Sequence, residues 1–247
     1  MSPPPVTLAE IREASAGRLA AAFAGPPAEA ARWIAAAARA GHAEAALLFG
    51  QILADGRGVA RDRAAALGWF RVAHAAGDVR GTTMLGRCHE LGWGVATDFP
   101  AAAALYAQAA ARGHDWAQYN LATLHVRGAG VPRDRARAVA LFRAAAAQGH
   151  AKSLTVLARF LEEGWDDAPR DPASARRLYA AAAEAGDCRA QYSLGTLLVE
   201  DGRLPEALAW FRRAADGGPP DVRRAMAARL AARPEAALRD FAAALAP

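Results

Sequence analysis

The chain has 247 residues, a net charge of +5 and only two cysteines, and alanine is its commonest residue by far. This composition excludes a disulfide-stapled scaffold and, with strand-favouring residues sparse, points to closely packed helices. Basic and acidic residues are interleaved with no dense basic run, so no nucleic-acid footprint is evident.

After an N-terminal proline run, Thr7 and Glu10 stand at the spacing of a capping box. Leu8, Ile11, Leu19, Ala22 and Phe23 then recur at helical spacing, which predicts one helix over 7–24, stopped by Gly25-Pro26-Pro27. Glu10, Arg12, Glu13 and Arg18 interrupt any apolar run, and Leu19 to Ala24 is too short to cross a bilayer. A cytoplasmic location, with no membrane insertion, is the expectation.

From Pro27 the pattern becomes regular. A helix over about 28–40 ends at Gly41-His42, an alanine-rich helix over about 43–54 follows, and then comes a loop from Asp55 to Asp62. The same order returns along the chain. Gly41, Gly77, Gly113, Gly149, Gly186 and Gly218 mark predicted helix ends, where a left-handed backbone favours glycine. The longer loops share Gly-x-Gly-Val at 56–59, 92–95 and 128–131; the fourth reads Gly164-Trp165-Asp166-Asp167 and the fifth shrinks to Gly202-Arg203-Leu204. With no preceding strand and no Gly-Lys-Ser/Thr ending, these are turns rather than phosphate cradles. Asp62, Asp98, Asp134 and Asp171 close the loops as expected helix caps, each worth about 1 kcal/mol. At the C-terminus, helices are predicted from Asp221 to Ala232 and from the turn at Pro234, the second with Leu238, Phe241 and Leu245 on one face.

Two echoes fix the period. Phe49-Gly50, Leu85-Gly86, Leu121-Ala122, Leu157-Ala158 and Leu194-Gly195 place a small residue at steps of 36, 36, 36 and 37. Trp33-Ile34, Trp69-Phe70, Leu105-Tyr106, Leu141-Phe142, Leu178-Tyr179 and Trp210-Phe211 keep the same step until a last one of 32. A constant period of this size is the mark of a stacked repeat array. The small residues should let helices cross closely, so leucine at Gly86 or Gly195 should overpack the crossing. The expected organisation is an N-terminal cap over 1–27, an array of about five repeats over 28–218 and closing helices over 219–247. Cys88 and Cys188 lie nearly three repeats apart, too far for a bridge, and are expected as free thiols.

The run Ala-Gln-Tyr-Asn-Leu-Ala (117–122), Gly-x-Gly-Val (128–131), Asp134, Ala138, Leu141-Phe142, Ala145-Ala146 and Gly149-His150 resembles the Sel1-like repeat (SLR), a relative of the tetratricopeptide repeat with a longer inter-helix loop. Residues 188–195 are nearly as similar. The resemblance implies an all-α, right-handed superhelical solenoid of antiparallel helix pairs. It also implies a non-enzymatic adaptor that binds proteins or peptides along its first helices.

On that register, residues six before, two before and one after the small residue face the groove. Arg80, Arg87, Lys152, Arg159 and Arg189 then surround Trp116 and Asn120, an arrangement suited to an acidic or C-terminal peptide segment. The alternative is a solvated helix face. Trp93 and Trp165 share one loop position and either anchor a partner or fold back over the neighbouring loop. His42, His114 and His150 follow helix-ending glycines, and His89 and His125 hold equivalent places, so no metal site and no cofactor is expected. No nucleophile and base stand together, and the chain is read as no enzyme. Two other readings stand beside the scaffold. One is a cell-envelope protein binding or hydrolysing a cell-wall or β-lactam ligand, although relatives assigned that activity carry a cysteine pair in each repeat. The other is an inhibitory subunit of a signalling or transport complex.

Overall fold

The computed structural model describes residues 6–14, 18, 21–22, 24–165 and 170–245, and every regular element among them is helical. The chain forms two compact units, Met1–Asp134 and Arg135–Pro247. The first contains α1 (Leu8–Glu13), α2 (Pro27–Arg39), α3 (Ala43–Asp55), α4 (Arg63–Ala75), α5 (Val79–Leu91), α6 (Phe99–Ala111) and α7 (Asp115–Arg127). The second contains α8 (Arg135–Ala147), α9 (Ala151–Glu163), α10 (Pro172–Glu184), α11 (Cys188–Glu200), α12 (Leu204–Gly217), α13 (Pro220–Ala231) and α14 (Ala236–Leu245). In each unit neighbouring helices pack as antiparallel pairs, the all-α solenoid arrangement that the period predicts.

The packing unit is one small residue against one aromatic ring. A Cβ built on Gly50 would lie 2.6 Å from the Phe70 ring, one on Gly86 2.9 Å from Tyr106, and one on Gly195 2.5 Å from Phe211. All three rings are fully buried. Hydrogen in place of a methyl group therefore lets the second helix close on the first. Burying each ring stabilises the pair by about 1.5–3 kcal/mol.

The second glycine of each Gly-x-Gly-Val loop has both a left-handed backbone and a close neighbour. Gly94 has φ 70°, and its Cβ would lie 2.7 Å from the Ala64 Cα at the start of α4. Gly58 and Gly130 make the same approach to Pro27 and Phe99. The loop of one repeat thus rests its backbone on the N-terminus of the second helix before it. Polar side chains add further links. Thr83 Oγ1 donates to the Val79 carbonyl at 3.0 Å, which leaves the His114 Nδ1–H, 2.9 Å away, to donate to Thr83 Oγ1. Arg112 donates to the Gly77 carbonyl at 2.8 Å. In the second unit, Thr155 donates to Asp187 Oδ1 at 2.9 Å.

Caps follow the sequence closely. Thr7 and Glu10 form the reciprocal capping box, and Asp62, Asp98 and Asp171 each accept a backbone N–H three residues on at 2.9 Å. Three expectations need correction. The single helix over 7–24 is broken at Ala14, whose backbone is extended (ψ 123°), so that Ile11 and Ala14 pack against Val6, Ala22, Trp33 and Ala36. Leu19 and Phe23, counted in that helix, lie outside the described residues, as do Asp166 and Asp167 of the fourth loop. Gly41, Gly77, Gly113, Gly149 and Gly186 end helices at positive φ, but Gly218 does not: its backbone is extended, φ −85° and ψ 146°, because Pro219-Pro220 follow and start α13 directly. Finally, α14 begins at Ala236, two residues past Pro234, where the Arg239 side chain donates to the Arg233 and Pro234 carbonyls.

Candidate partner-binding surface

The first helices of the first unit expose one stripe each. It runs through Glu44, Leu48, Gln51 and Asp55 on α3, through Arg80, Met84, Arg87 and Leu91 on α5, and through Trp116, Asn120, Thr123 and Arg127 on α7. The spacing of four, three and four residues keeps each stripe on one side of its helix while the opposite side meets the second helices. Equivalent residues stand side by side, since Arg80 of α5 reaches Glu44 of α3 at 3.3 Å.

Arg80 has a full set of partners. Besides Glu44 it pairs with Asp78 at 3.1 Å. Burial opposes ionisation of Asp78, but the Arg80 guanidinium and the backbone N–H groups of Arg80 and Gly81 outweigh it and hold the carboxyl below its usual range. Arg87 lies over the Trp93 ring, 5.1 Å from its centroid. Trp116 is 40 % exposed and meets Tyr119 edge-on at 6.4 Å, and Leu48 is equally exposed. Asn120, in the same row as Leu48 and Met84, is half-buried.

The second unit holds the other predicted cations. Lys152 and Arg189 are exposed at the first turns of α9 and α11. Arg159 is exposed one turn before Glu163, which it approaches at 3.9 Å. Arg80, Arg87, Trp116 and Asn120 thus share one unit, and Lys152, Arg159 and Arg189 the other. Both loop tryptophans fold back. Trp93 lies beneath Arg63 as well as Arg87, and Trp165 stacks flat on Phe160 at 3.7 Å with Arg135 4.9 Å from its ring.

Two buried hydroxyls were not singled out from the sequence. Tyr106 donates to Glu90 Oε2 and Tyr179 to Glu162 Oε2, each at 2.7 Å. Burial, reinforced by the neighbouring carboxylate, pushes both phenols far up, so each keeps its proton and donates it to its glutamate. The signal was present in the repeats: glutamate stands four residues after the small residue only where the following second helix carries tyrosine. Gly50 and Phe70 have Ala54 there, and Gly195 and Phe211 have Val199.

Three histidines bond at helix ends or loops. His150 accepts the Ser153 N–H as an N-cap, His74 meets Thr82 Oγ1 at 2.9 Å, and His125 Nδ1 lies 3.2 Å from the Pro132 carbonyl. Among the described residues no group of three His, Cys, Asp or Glu side chains could hold a metal ion, and no helix is long and apolar enough to cross a membrane. Cys88 is buried and Cys188 half-buried, and both are free.

Comparison with known proteins agrees with this architecture. The Sel1 repeat profile matches residues 43–78, 80–114, 117–150, 151–187 and 188–219. A Sel1 repeat protein from Oxalobacter formigenes is similar in structure, with a TM-score of 0.73 at 23 % identity over 92 % of this chain and 98 % of that one. The protective antigen c5321 of uropathogenic Escherichia coli, which displays an SLR fold, is 25 % identical with a TM-score of 0.63; the match covers 93 % of this chain but 51 % of that one, so this chain spans about half its length. Immunity protein Pa5087 from Pseudomonas aeruginosa is 19 % identical over 82 % of this chain and 80 % of that one, with a TM-score of 0.58. None of the curated proteins compared with the chain matches it. With five repeats matched over more than half of its length, the chain belongs to the Sel1 repeat family and is a protein–protein interaction scaffold.

Proposed function

We propose that the stripe of the first helices is the face that takes up a partner, and that it binds an acidic segment carrying an apolar side chain. One observation carries the reading: Leu48 and Trp116 are each 40 % exposed on this face, in rows shared with Met84, Asn120 and Arg80. Large exposed apolar side chains beside fixed arginines suit an anchor residue flanked by carboxylates. In the second unit, Lys152, Arg159 and Arg189 extend the same preference for negative charge. Residues 1–27 and 219–247 then act as ends that cover the apolar faces of the terminal repeats, and the protein works in the cytoplasm.

Selection from a displayed random-peptide library tests this. Peptides recovered on the wild-type protein should be enriched in Asp and Glu around one large apolar residue. They should lose about tenfold or more in affinity for Trp116→Ala, the usual loss at a buried aromatic anchor. Peptides without acidic enrichment, or ones that bind Trp116→Ala and Arg159→Glu as tightly as the wild type, would remove this face from consideration.

A further inference from the structure

We propose that Arg63 and Arg87, both held on Trp93, form a subsite for two carboxylates of the acidic segment, one on each guanidinium. Arg63 opens α4 and Arg87 lies on α5; their guanidinium carbons are 4.7 and 5.1 Å from the centroid of the same indole. The stack is positioned by backbone. Gly94 brings the loop so close to Arg63 and Ala64 that any side chain at position 94 would collide with them, which seats Trp93 next to Arg63. A guanidinium lying on an aromatic face keeps its in-plane N–H donors for a carboxylate, and its rotamers are already restricted before binding.

Neither arginine pairs with a carboxylate among the described residues. That separates them from Arg80, held by Glu44 and Asp78, and from Arg127, which reaches Glu90 at 3.7 Å. The chain also contains its own control. Two repeats on, Arg135, Arg159 and Trp165 occupy the equivalent positions. There Arg159 has Glu163 one turn later at 3.9 Å, and Trp165 turns onto Phe160. The first unit has Leu91, 47 % exposed, where the second has that glutamate. The same three residues are thus supplied with an internal acid in one unit and left with two uncompensated positive charges in the other. The carboxylates that complete the first set come from outside the chain.

This subsite rests on the reading that the face binds an acidic segment, and one titration separates the two. Acetyl-hexaglutamate-amide is added to the full-length protein while the indole N–H signals of Trp93, Trp116 and Trp165 are followed by NMR. Saturable shifts at Trp93, absent at Trp165, are expected. Binding should weaken about tenfold in Arg63→Gln and in Arg87→Gln, as for the loss of a charge-assisted contact, and also in Trp93→Leu, which keeps both charges but removes their platform. Arg71→Gln, which removes the same charge from an exposed position on α4, should leave affinity within twofold. Shifts at Trp116 without Trp93 would overturn the subsite and leave the face standing. Equal weakening by Arg71→Gln would reduce the effect to net charge and overturn the subsite as well. Silence at both tryptophans would overturn the subsite together with the acidic preference of the face.

Discussion

The same substitution at two glycines of the first unit should have opposite signs. Gly68 lies on α4 with nothing within 4 Å of its Cβ position and an ordinary helical backbone. Alanine there removes only the helix penalty of glycine, so Gly68→Ala should stabilise by about 1 kcal/mol. Gly50 lies on α3 and gains the same propensity, but its new methyl carbon would stand 2.6 and 2.8 Å from two carbons of the Phe70 ring. Phe70 is fully buried and has no open side toward which to retreat. Overpacking of this kind costs about 1–3 kcal/mol, which offsets or exceeds the propensity gain. The difference between the two variants therefore isolates the crowding at the crossing. Urea unfolding followed by circular dichroism measures it. A difference of about 2 kcal/mol would separate the midpoints by roughly 1 M for an m-value near 2 kcal/mol/M. Trimming the ring should relieve the clash, so Gly50→Ala and Phe70→Leu should couple favourably in a double-mutant cycle. If Gly50→Ala stabilises as much as Gly68→Ala, the assigned contact between small residue and ring is wrong.

Glu90→Ala should cost about 1–3 kcal/mol in urea unfolding because it leaves the Tyr106 hydroxyl buried without its acceptor, and adding Tyr106→Phe should recover most of that loss. Burial of His114 holds its imidazole below the usual value near 6.5, so the neutral form is favoured by folding. Its contribution is present above pH 6.5 and lost as the pH falls through the lowered folded value; the urea midpoint should drop between pH 7 and 5, and less so in His114→Asn. The Cys88 thiol is buried and pushed up to about 11, so at pH 8 a disulfide reagent should label the half-buried Cys188 first and reach Cys88 only as the protein unfolds. Equal labelling rates in the native protein would contradict the burial assigned to Cys88.

Much of this fold was legible because one physical constraint recurs in every repeat. The small residue, the ring and the capping aspartate each report a contact that helix stacking repeats, and repetition separates these signals from chance. The N-terminal segment has no second copy against which to check its helical spacing, and the break at Ala14 is set by packing on Trp33 and Ala36 rather than by the local pattern. The face itself was legible as a stripe, because helical spacing from the small residue fixes which residues point away from the second helices. Its charge balance was not. Arg80 reads as a free cation until Glu44, 36 residues earlier, and Asp78 are seen beside it. Arg63 stands outside the stripe in sequence and becomes relevant only when the loop carries Trp93 onto it. The tyrosine–glutamate pairs were written in the chain as covariation among repeats, and became readable once the structure showed which two positions touch.

The most direct measurement is hydrogen exchange on the full-length protein with and without a library-selected peptide. Protection concentrated on 44–55, 80–91 and 116–127, with 64–75 and 99–111 unchanged, is the predicted footprint of a segment lying along the first helices. Protection on the second helices, with the first-helix stripes exchanging as in the free protein, would contradict it.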